Sequence, residues 1–181
     1  MNPSISPSPD HFELNWLPAT ALEHAEPDAA LRSWLTEGGV LTRRLRALCG
    51  ARFHMRLIGE HFEADERVRE IILCCGEQAW VYAQTRIPRR TLERNDWLRT
   101  LGGMPLGEAF ESQGLREKSE LEFAQLAPSH PVIQRALHET RWPSRKFWMR
   151  RAHFVTRGGP FLVQEVFSPD IGRPGMEKRN P

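Results

Sequence analysis

The sequence lacks any apolar run long enough to cross a bilayer. No uninterrupted apolar run is longer than that at positions 71–75, whereas a membrane-spanning helix takes about 20 residues. The N-terminus, MNPSISPSPD, has no basic start followed by an apolar core, so it is not typical of a secretory signal. From these absences we expect a cytoplasmic protein without membrane insertion.

Cysteine is scarce, and the three cysteines have no metal-ligand spacing. Cys74 and Cys75 are adjacent, so on a strand they point to opposite faces, and Cys49 stands alone. We expect reduced, partly buried thiols and no disulfide framework. The histidines at positions 54, 61, 130, 138 and 153 show no HExxH or paired ligand spacing, so the sequence predicts no metal site.

Lysine is also scarce, because 22 of the 25 basic residues are arginines. Residues 135–157 contain seven basic residues against the single acid Glu139, although the formal net charge of the chain is only +2. Such a cluster is one mark of nucleic-acid binding. Since arginine is abundant throughout the chain, we interpret the cluster as a composition bias and expect no nucleic-acid partner.

The apolar content of 40% and the charged content of 27% are those of a globular chain. The two ends are rich in proline and polar residues, which favours disorder. We therefore predict a disordered tail over residues 1–11, one domain over residues 12–168 and a flexible tail over residues 169–181. We expect the protein to be a monomer.

Hydrophobic periodicity predicts a mixed fold. Helices are predicted after Asp28, over residues 40–47, from Thr91 to the glycines at 102 and 103, from Pro105, and within HPVIQRALHE. Strands are predicted from Arg52, over residues 67–74 and 79–87, within SELEFAQLAP, and as a final hairpin turning at residues 157–160. The predicted fold class is α+β, with a single antiparallel β-sheet covered by helices on one face.

Two charged residues lie on strand faces that are otherwise apolar. Arg69 shares its face with Ile71, and Glu165 shares its face with Val163 and Phe167. Burying either charge without a partner is costly. One interpretation is that the two form an internal ion pair or lie near a sheet edge. The other is that each points into a cavity and holds one end of a polar ligand.

Three motifs, REIILCCGEQAW, LGGMPLGEAF and GGPFLVQEVFSP, resemble those of chorismate lyase (chorismate pyruvate-lyase) in order and separation. The resemblance covers residues 25–170 and is poorest over residues 113–147. It implies an antiparallel sheet with an internal ligand cavity closed by helical flaps. It also implies conversion of chorismate to 4-hydroxybenzoate and pyruvate, the first committed step of ubiquinone biosynthesis, without a metal or an organic cofactor.

The resemblance also implies roles for individual residues. Arg69 corresponds to the arginine that binds the ring carboxylate, and Glu165 to the glutamate that meets the ring hydroxyl. Leu41 and Leu106 correspond to residues whose backbone contacts the ligand near the flaps, and LGGMPLG is either a helix break or a flap hinge.

This sequence departs from the family pattern at two positions. Leu41 replaces a methionine, which leaves a backbone contact possible but changes the shape of the pocket. Gln84 stands where the family has an arginine, and Arg86 follows two residues later. The sequence does not decide whether Gln84 or Arg86 contacts the ligand.

A second interpretation is a non-catalytic sensor that binds a small aromatic acid. Effector-binding domains of one bacterial family of transcription regulators share the chorismate lyase-like fold. Those domains follow a DNA-binding winged helix, and the stretch before the first predicted helix is too short to form one. This observation favours the enzyme.

Overall fold

A seven-stranded antiparallel sheet forms the centre of the computed structural model, which describes residues 15–22, 25, 27–115 and 118–173. The strand order is β1-β5-β6-β7-β4-β3-β2. In chain order the elements are β1 (Leu17–Pro18), α1 (Ala19–Leu22), α2 (Ala29–Leu35), α3 (Leu41–Cys49), β2 (Phe53–Glu63), β3 (Glu66–Cys75), β4 (Gln78–Pro88), α4 (Arg89–Glu93), α5 (Asp96–Arg99), α6 (Leu106–Ser112), β5 (Glu122–Leu126), α7 (Pro131–Thr140), β6 (Phe147–Thr156) and β7 (Gly159–Phe167).

The predicted α+β class and the antiparallel sheet are confirmed. Helix α2 begins where the sequence predicts it, because the Asp28 side chain accepts a hydrogen bond from the Leu31 backbone N–H at 2.8 Å. The two predicted hairpins are also present, since β3 pairs with β4 and β6 pairs with β7.

Helices cover both faces of the sheet, so the prediction that they cover one face is wrong. Strand β3 is buried at every position from Val68 to Cys75, which is typical of a strand covered on both sides. On one face, Leu41 and Leu45 of α3 pack in the same core as Ile71. On the other face, α7 packs Ile133 and Ala136 into a core with Ile72 and Tyr82 of the sheet.

The helix predicted from Thr91 to the glycines at 102 and 103 is two short helices, α4 and α5. The buried Asn95 lies at the break. Its Nδ2 donates to the Thr91 carbonyl at 2.7 Å and to Thr156 Oγ1 at 3.1 Å. The second acceptor belongs to β6, so the break depends on a tertiary contact that apolar periodicity does not reveal.

The expectation of three reduced thiols is wrong for two of them. Cys49 ends α3 and Cys75 ends β3, and the two form a disulfide with Cα atoms 5.6 Å apart. The fold brings together the ends of two elements that lie 26 residues apart in the sequence. Cys74, on the opposite face of β3, is a buried free thiol.

The packed chain continues past the start of the predicted C-terminal tail. Ile171 is only 1% exposed and belongs to the core that contains Trp34. The predicted N-terminal tail, residues 1–11, lies outside the described residues, as do residues 174–181. No helix in the described part of the chain is both long enough and apolar enough to cross a membrane.

Candidate functional site

A cavity of about 570 Å³ lies between one face of the sheet and the helices packed on it. Its wall combines apolar side chains with a few charged ones. The wall includes Ile71, Ala83 and Glu165 from the sheet, and Leu41, Leu106 and Phe110 from helices α3 and α6. A largely apolar cavity with few polar groups is typical of a site for a small organic ligand.

The strand register places Arg69 and Glu165 on the same sheet face. Glu165 pairs with Ala83 of β4, and Ala83 pairs with Ile71 of β3. Arg69 lies two residues before Ile71 and therefore points to the same side. Strands β3 and β7 are separated by β4, and Arg69 is offset by two residues along β3. These spacings place the Cα atoms of Arg69 and Glu165 about 12 Å apart. The two charges therefore stand apart on one apolar surface.

Arg69 is a buried cation with unused hydrogen-bond donors. Its side chain is 1% exposed, and Nη2 donates to the carbonyls of Gly102 at 2.8 Å and Met104 at 3.0 Å. Nε lies 3.3 Å from the Glu60 carboxylate, yet within the described part of the chain neither Nε nor Nη1 has a hydrogen-bond partner. Buried donors without partners are rare and costly, so this guanidinium is able to bind an anion.

Burial lowers the pKa of Arg69, and the nearby charge of Arg67 lowers it further, while the carboxylate of Glu60 works to raise it. Arginine binds its proton so tightly that Arg69 stays charged despite this lowering.

Arg69 does not form part of the cavity wall, whereas Ile71, the next residue on its face, does. The segment that covers Arg69 leads directly into α6 and has Gly102 in the left-handed conformation, with φ of +48°. The structure therefore brings Leu41, Leu106 and Glu165 together in one cavity and leaves Arg69 beside it, under the loop of residues 102–104.

Glu165 is paired with Arg150 of β6, not with Arg69. Arg150 Nε donates to Glu165 Oε2 at 2.5 Å, and Arg150 Nη1 donates to the carbonyls of Leu35 at 3.0 Å and Glu37 at 2.9 Å. Strands β3 and β7 both have neighbours on either side. The interpretation of an Arg69–Glu165 ion pair is therefore wrong, and neither residue lies on an edge strand, although β3 is next to the edge strand β2.

Leu41 and Leu106 each begin a helix, where the N–H groups of the first turn have no acceptor within the helix. Gly107 lets these two helix starts approach each other closely. A Cβ atom at position 107 would come within 2.9 Å of Val40 Cγ1. Thr42, in the first turn of α3, lines the same cavity, and its buried hydroxyl has no hydrogen-bond partner among the residues described.

Gln84 and Arg86 face the other side of the sheet, where they line a second cavity of about 620 Å³ together with Glu70 and Arg135. Gln84 Nε2 donates to Glu70 Oε1 at 3.2 Å and to the Tyr82 hydroxyl at 2.9 Å, and Arg135 Nη2 donates to Glu70 Oε2 at 3.0 Å. Burial works to raise the pKa of Glu70, but hydrogen bonds from Arg135, the Tyr82 hydroxyl and Gln84, with the charge of Arg135, outweigh it and lower the pKa. Gln84 therefore does not form part of the wall of the first cavity.

The polar residues of the cavity that were not predicted from the sequence include Arg150, Lys118 and Thr42. Arg150 shares its strand face with Trp148 and Ala152, so the rule that singled out Arg69 also applies to it. Lys118, which lies in the wall and bonds the Gly38 carbonyl, has no periodic signal around it. Thr42 has no sequence feature that distinguishes it from other threonines in amphipathic helices.

The described side chains include no cluster of three or more His, Cys, Asp or Glu that is arranged to hold a metal ion. Two of the histidines have local partners. His61 Nε2 lies 3.0 Å from Glu63, and His130 Nδ1 accepts from the Val132 backbone N–H at 3.3 Å.

Comparison with known proteins identifies the family. The family model for chorismate lyase matches residues 12–172. A protein of Shewanella amazonensis named "Probable chorismate pyruvate-lyase" is 33% identical over 153 residues, which cover 79% of this chain and 81% of that protein. A protein of Coxiella burnetii with the same name is 31% identical over 175 residues, which cover 88% and 94% of the two chains.

Among solved structures, the effector domain of PhnF from Mycobacterium smegmatis has the same fold. It superposes with a TM-score of 0.58 at 13% sequence identity, over 74% of this chain and 91% of that domain. At this identity the likeness concerns the fold alone. The family match, by contrast, spans most of the sequence and includes all three motifs, and the chain therefore belongs to the chorismate lyase family.

Proposed function

We propose that the protein converts chorismate to 4-hydroxybenzoate and pyruvate. The observation that carries this proposal is the placement of Arg69 and Glu165, two charged side chains held apart on one largely apolar sheet face. Chorismate has a ring carboxylate at one end and a ring hydroxyl at the other. A ring lying along this face would place one of these groups near each side chain.

Arg69 is the proposed ligand of the ring carboxylate. Among the described residues, Nη1 and Nε of the guanidinium have no hydrogen-bond partner, although Nε lies within ion-pair distance of Glu60. A carboxylate accepts two parallel N–H groups from one edge of a guanidinium. Each such edge of Arg69 includes Nη2, so the two-point bond forms when the carbonyls of Gly102 and Met104 release Nη2. Because the site is buried, each of these charge-assisted hydrogen bonds is stronger than at the surface.

Glu165 is the proposed partner of the ring hydroxyl. Arg150 bonds its Oε2, so Oε1 receives no hydrogen bond from Arg150. We propose that Oε1 accepts a hydrogen bond from the hydroxyl at C4 of the ring. We propose that Glu165 positions this hydroxyl and that the Arg150 pair holds the carboxylate in a fixed orientation.

The reaction itself makes modest demands on the protein. The C4–H bond breaks and its electrons enter the ring as the C3–O ether bond breaks. The side chain leaves as the enolate of pyruvate, which takes up a proton. The ring becomes aromatic, which supplies much of the driving force. The protein contributes by holding the ring and side chain in a reactive geometry and by excluding water.

We propose that the segment of residues 102–107 acts as a flap. It covers Arg69 through the carbonyls of Gly102 and Met104 and continues into α6, which lines the cavity. Access of a carboxylate to Arg69 requires this segment to shift. The same movement would release the product, so we expect tight binding of 4-hydroxybenzoate and a release step that limits turnover.

The test is to incubate the purified protein with chorismate, in EDTA and without added metal, and to separate the products. Equal amounts of 4-hydroxybenzoate and pyruvate are expected. Formation of 3-hydroxybenzoate would mean a different reaction. Tight binding of 4-hydroxybenzoate without any turnover of chorismate would favour the sensor. A role in ubiquinone biosynthesis and independence from cofactors are predictions that rest on the family resemblance. A monomeric state and a cytoplasmic location are predictions from the sequence.

A further inference from the structure

Chorismate has two carboxylates, and the site described above binds one of them. We propose that Lys118 binds the second, the carboxylate of the enolpyruvyl side chain. This inference rests on the proposed function and names the residue that recognises the part of the substrate removed in the reaction.

The cavity wall contains three cationic side chains, and Lys118 is the one whose charge is not matched by a carboxylate. Arg150 is bonded to Glu165, and Arg43 is paired with Glu111 with 72% of its side chain exposed. The Lys118 ammonium donates to the Gly38 carbonyl at 2.5 Å. Considering the described residues alone, no carboxylate lies within ion-pair distance of it. The Gly38 carbonyl accepts from one of the three N–H groups of the Lys118 ammonium, which leaves two for a ligand.

The position of Lys118 matches the chemistry of the substrate. The ether oxygen of the side chain is on C3, next to the C4 hydroxyl that Glu165 is proposed to hold. The side-chain carboxylate must therefore lie close to the Glu165 end of the ring. Lys118 pairs through its backbone with Phe154 of β6, and both line the cavity together with Glu165.

The electrostatic surroundings of Lys118 favour a bound anion. Burial lowers the pKa of its ammonium group, and the positive charge of Arg150 lowers it further, while Glu165 and Glu37 work to raise it. A cation in this situation is stabilised by an added carboxylate, because the new charge opposes both the desolvation cost and the repulsion from Arg150.

This assignment gives Lys118 a different role from Arg69. The product 4-hydroxybenzoate has lost the side chain, so it meets Arg69 and Glu165 but has no group for Lys118. Lys118 therefore distinguishes the substrate from the product, whereas Arg69 binds both.

Two stable ligands test the inference without turnover. One is 4-hydroxybenzoate, and the other is 3-(carboxymethoxy)-4-hydroxybenzoate, which adds a carboxylate on an ether at the position of the side chain. Binding of both is measured by calorimetry to the wild type, Lys118→Met and Lys118→Arg. Lys146→Met is the matched control, because it removes the same charge from an exposed lysine outside the cavity wall.

We expect Lys118→Met to weaken the diacid about 10- to 100-fold while 4-hydroxybenzoate keeps its affinity within about twofold. Lys118→Arg should recover part of the loss, and Lys146→Met should change neither ligand. Equal losses for both ligands, or unchanged binding of the diacid, would overturn the inference while leaving the proposed function standing. If the wild type bound neither ligand, the proposed function itself would fail, and the inference with it.

Discussion

Replacement of Arg69 by alanine is expected to weaken 4-hydroxybenzoate binding strongly. Arg69 has unused donors on Nε and Nη1, and a buried charge pair that loses one partner costs about 2 to 5 kcal/mol. This corresponds to a loss of affinity of about 30- to 4,000-fold. Arg69→Lys should recover only part of the loss, because a lysine has no planar fork. Calorimetric titration with 4-hydroxybenzoate measures these affinities directly.

Arg67→Ala provides the matched control for this prediction. Arg67 lies on the same face of β3, pairs with Glu60, and donates to the Leu98 carbonyl at 3.0 Å. Its loss therefore removes contacts of the same kind, two residues further from the cavity. If Arg69→Ala binds 4-hydroxybenzoate as the wild type does, or no worse than Arg67→Ala, then Arg69 only holds the loop of residues 102–104 in place and the proposed site is wrong.

Three further predictions concern other groups. In single-turnover assays Glu165→Gln should retain substantial activity and Glu165→Ala should retain little, because the glutamine amide still accepts a hydrogen bond from the ring hydroxyl. Equal, near-zero rates for the two variants would instead make Glu165 an obligatory proton acceptor. The pKa of Glu70 is lowered from 4.5 in the folded state, so its contribution to stability is present above pH 4.5 and is lost as the pH falls through the lowered value. The melting temperature of Glu70→Gln should therefore lie below that of the wild type at neutral pH, and the difference should narrow below pH 4.5. A difference that stays constant with pH would contradict this prediction. The 26-residue separation of Cys49 and Cys75 predicts that the disulfide adds about 3.5 kcal/mol to the free energy of unfolding. Dithiothreitol should therefore lower the melting temperature of the wild type and leave that of a variant with serine at both positions unchanged. A wild type whose melting temperature does not respond to the reductant would count against the disulfide.

Local patterns were sufficient for much of the fold. The alternation in β2 and the Asp28 cap of α2 depend on neighbours in the sequence, and both elements appear where they were predicted. The break between α4 and α5 depends on Asn95 contacting Thr156, 61 residues away. The Cys49–Cys75 disulfide likewise depends on two elements meeting in space. Such long-range contacts leave no periodic signal.

In the candidate site, too, some residues could be predicted from local sequence patterns and others could not. Arg69 and Glu165 were singled out because a charge on an apolar strand face is costly and calls for an explanation. The pattern did not reveal the partner of Glu165, since Arg150 lies on another strand and joins it to the end of α2. Lys118 is brought to the cavity by a single backbone bridge to Phe154, so only the folded chain reveals its position.

A crystal structure of the protein with bound 4-hydroxybenzoate tests the proposed site most directly. We expect the ring on the sheet face above Ala83, with its carboxylate bonded to the Arg69 guanidinium and its hydroxyl within hydrogen-bond distance of Glu165. A ring bound in the reverse orientation, or in the cavity on the other face beside Glu70 and Arg135, would contradict the account.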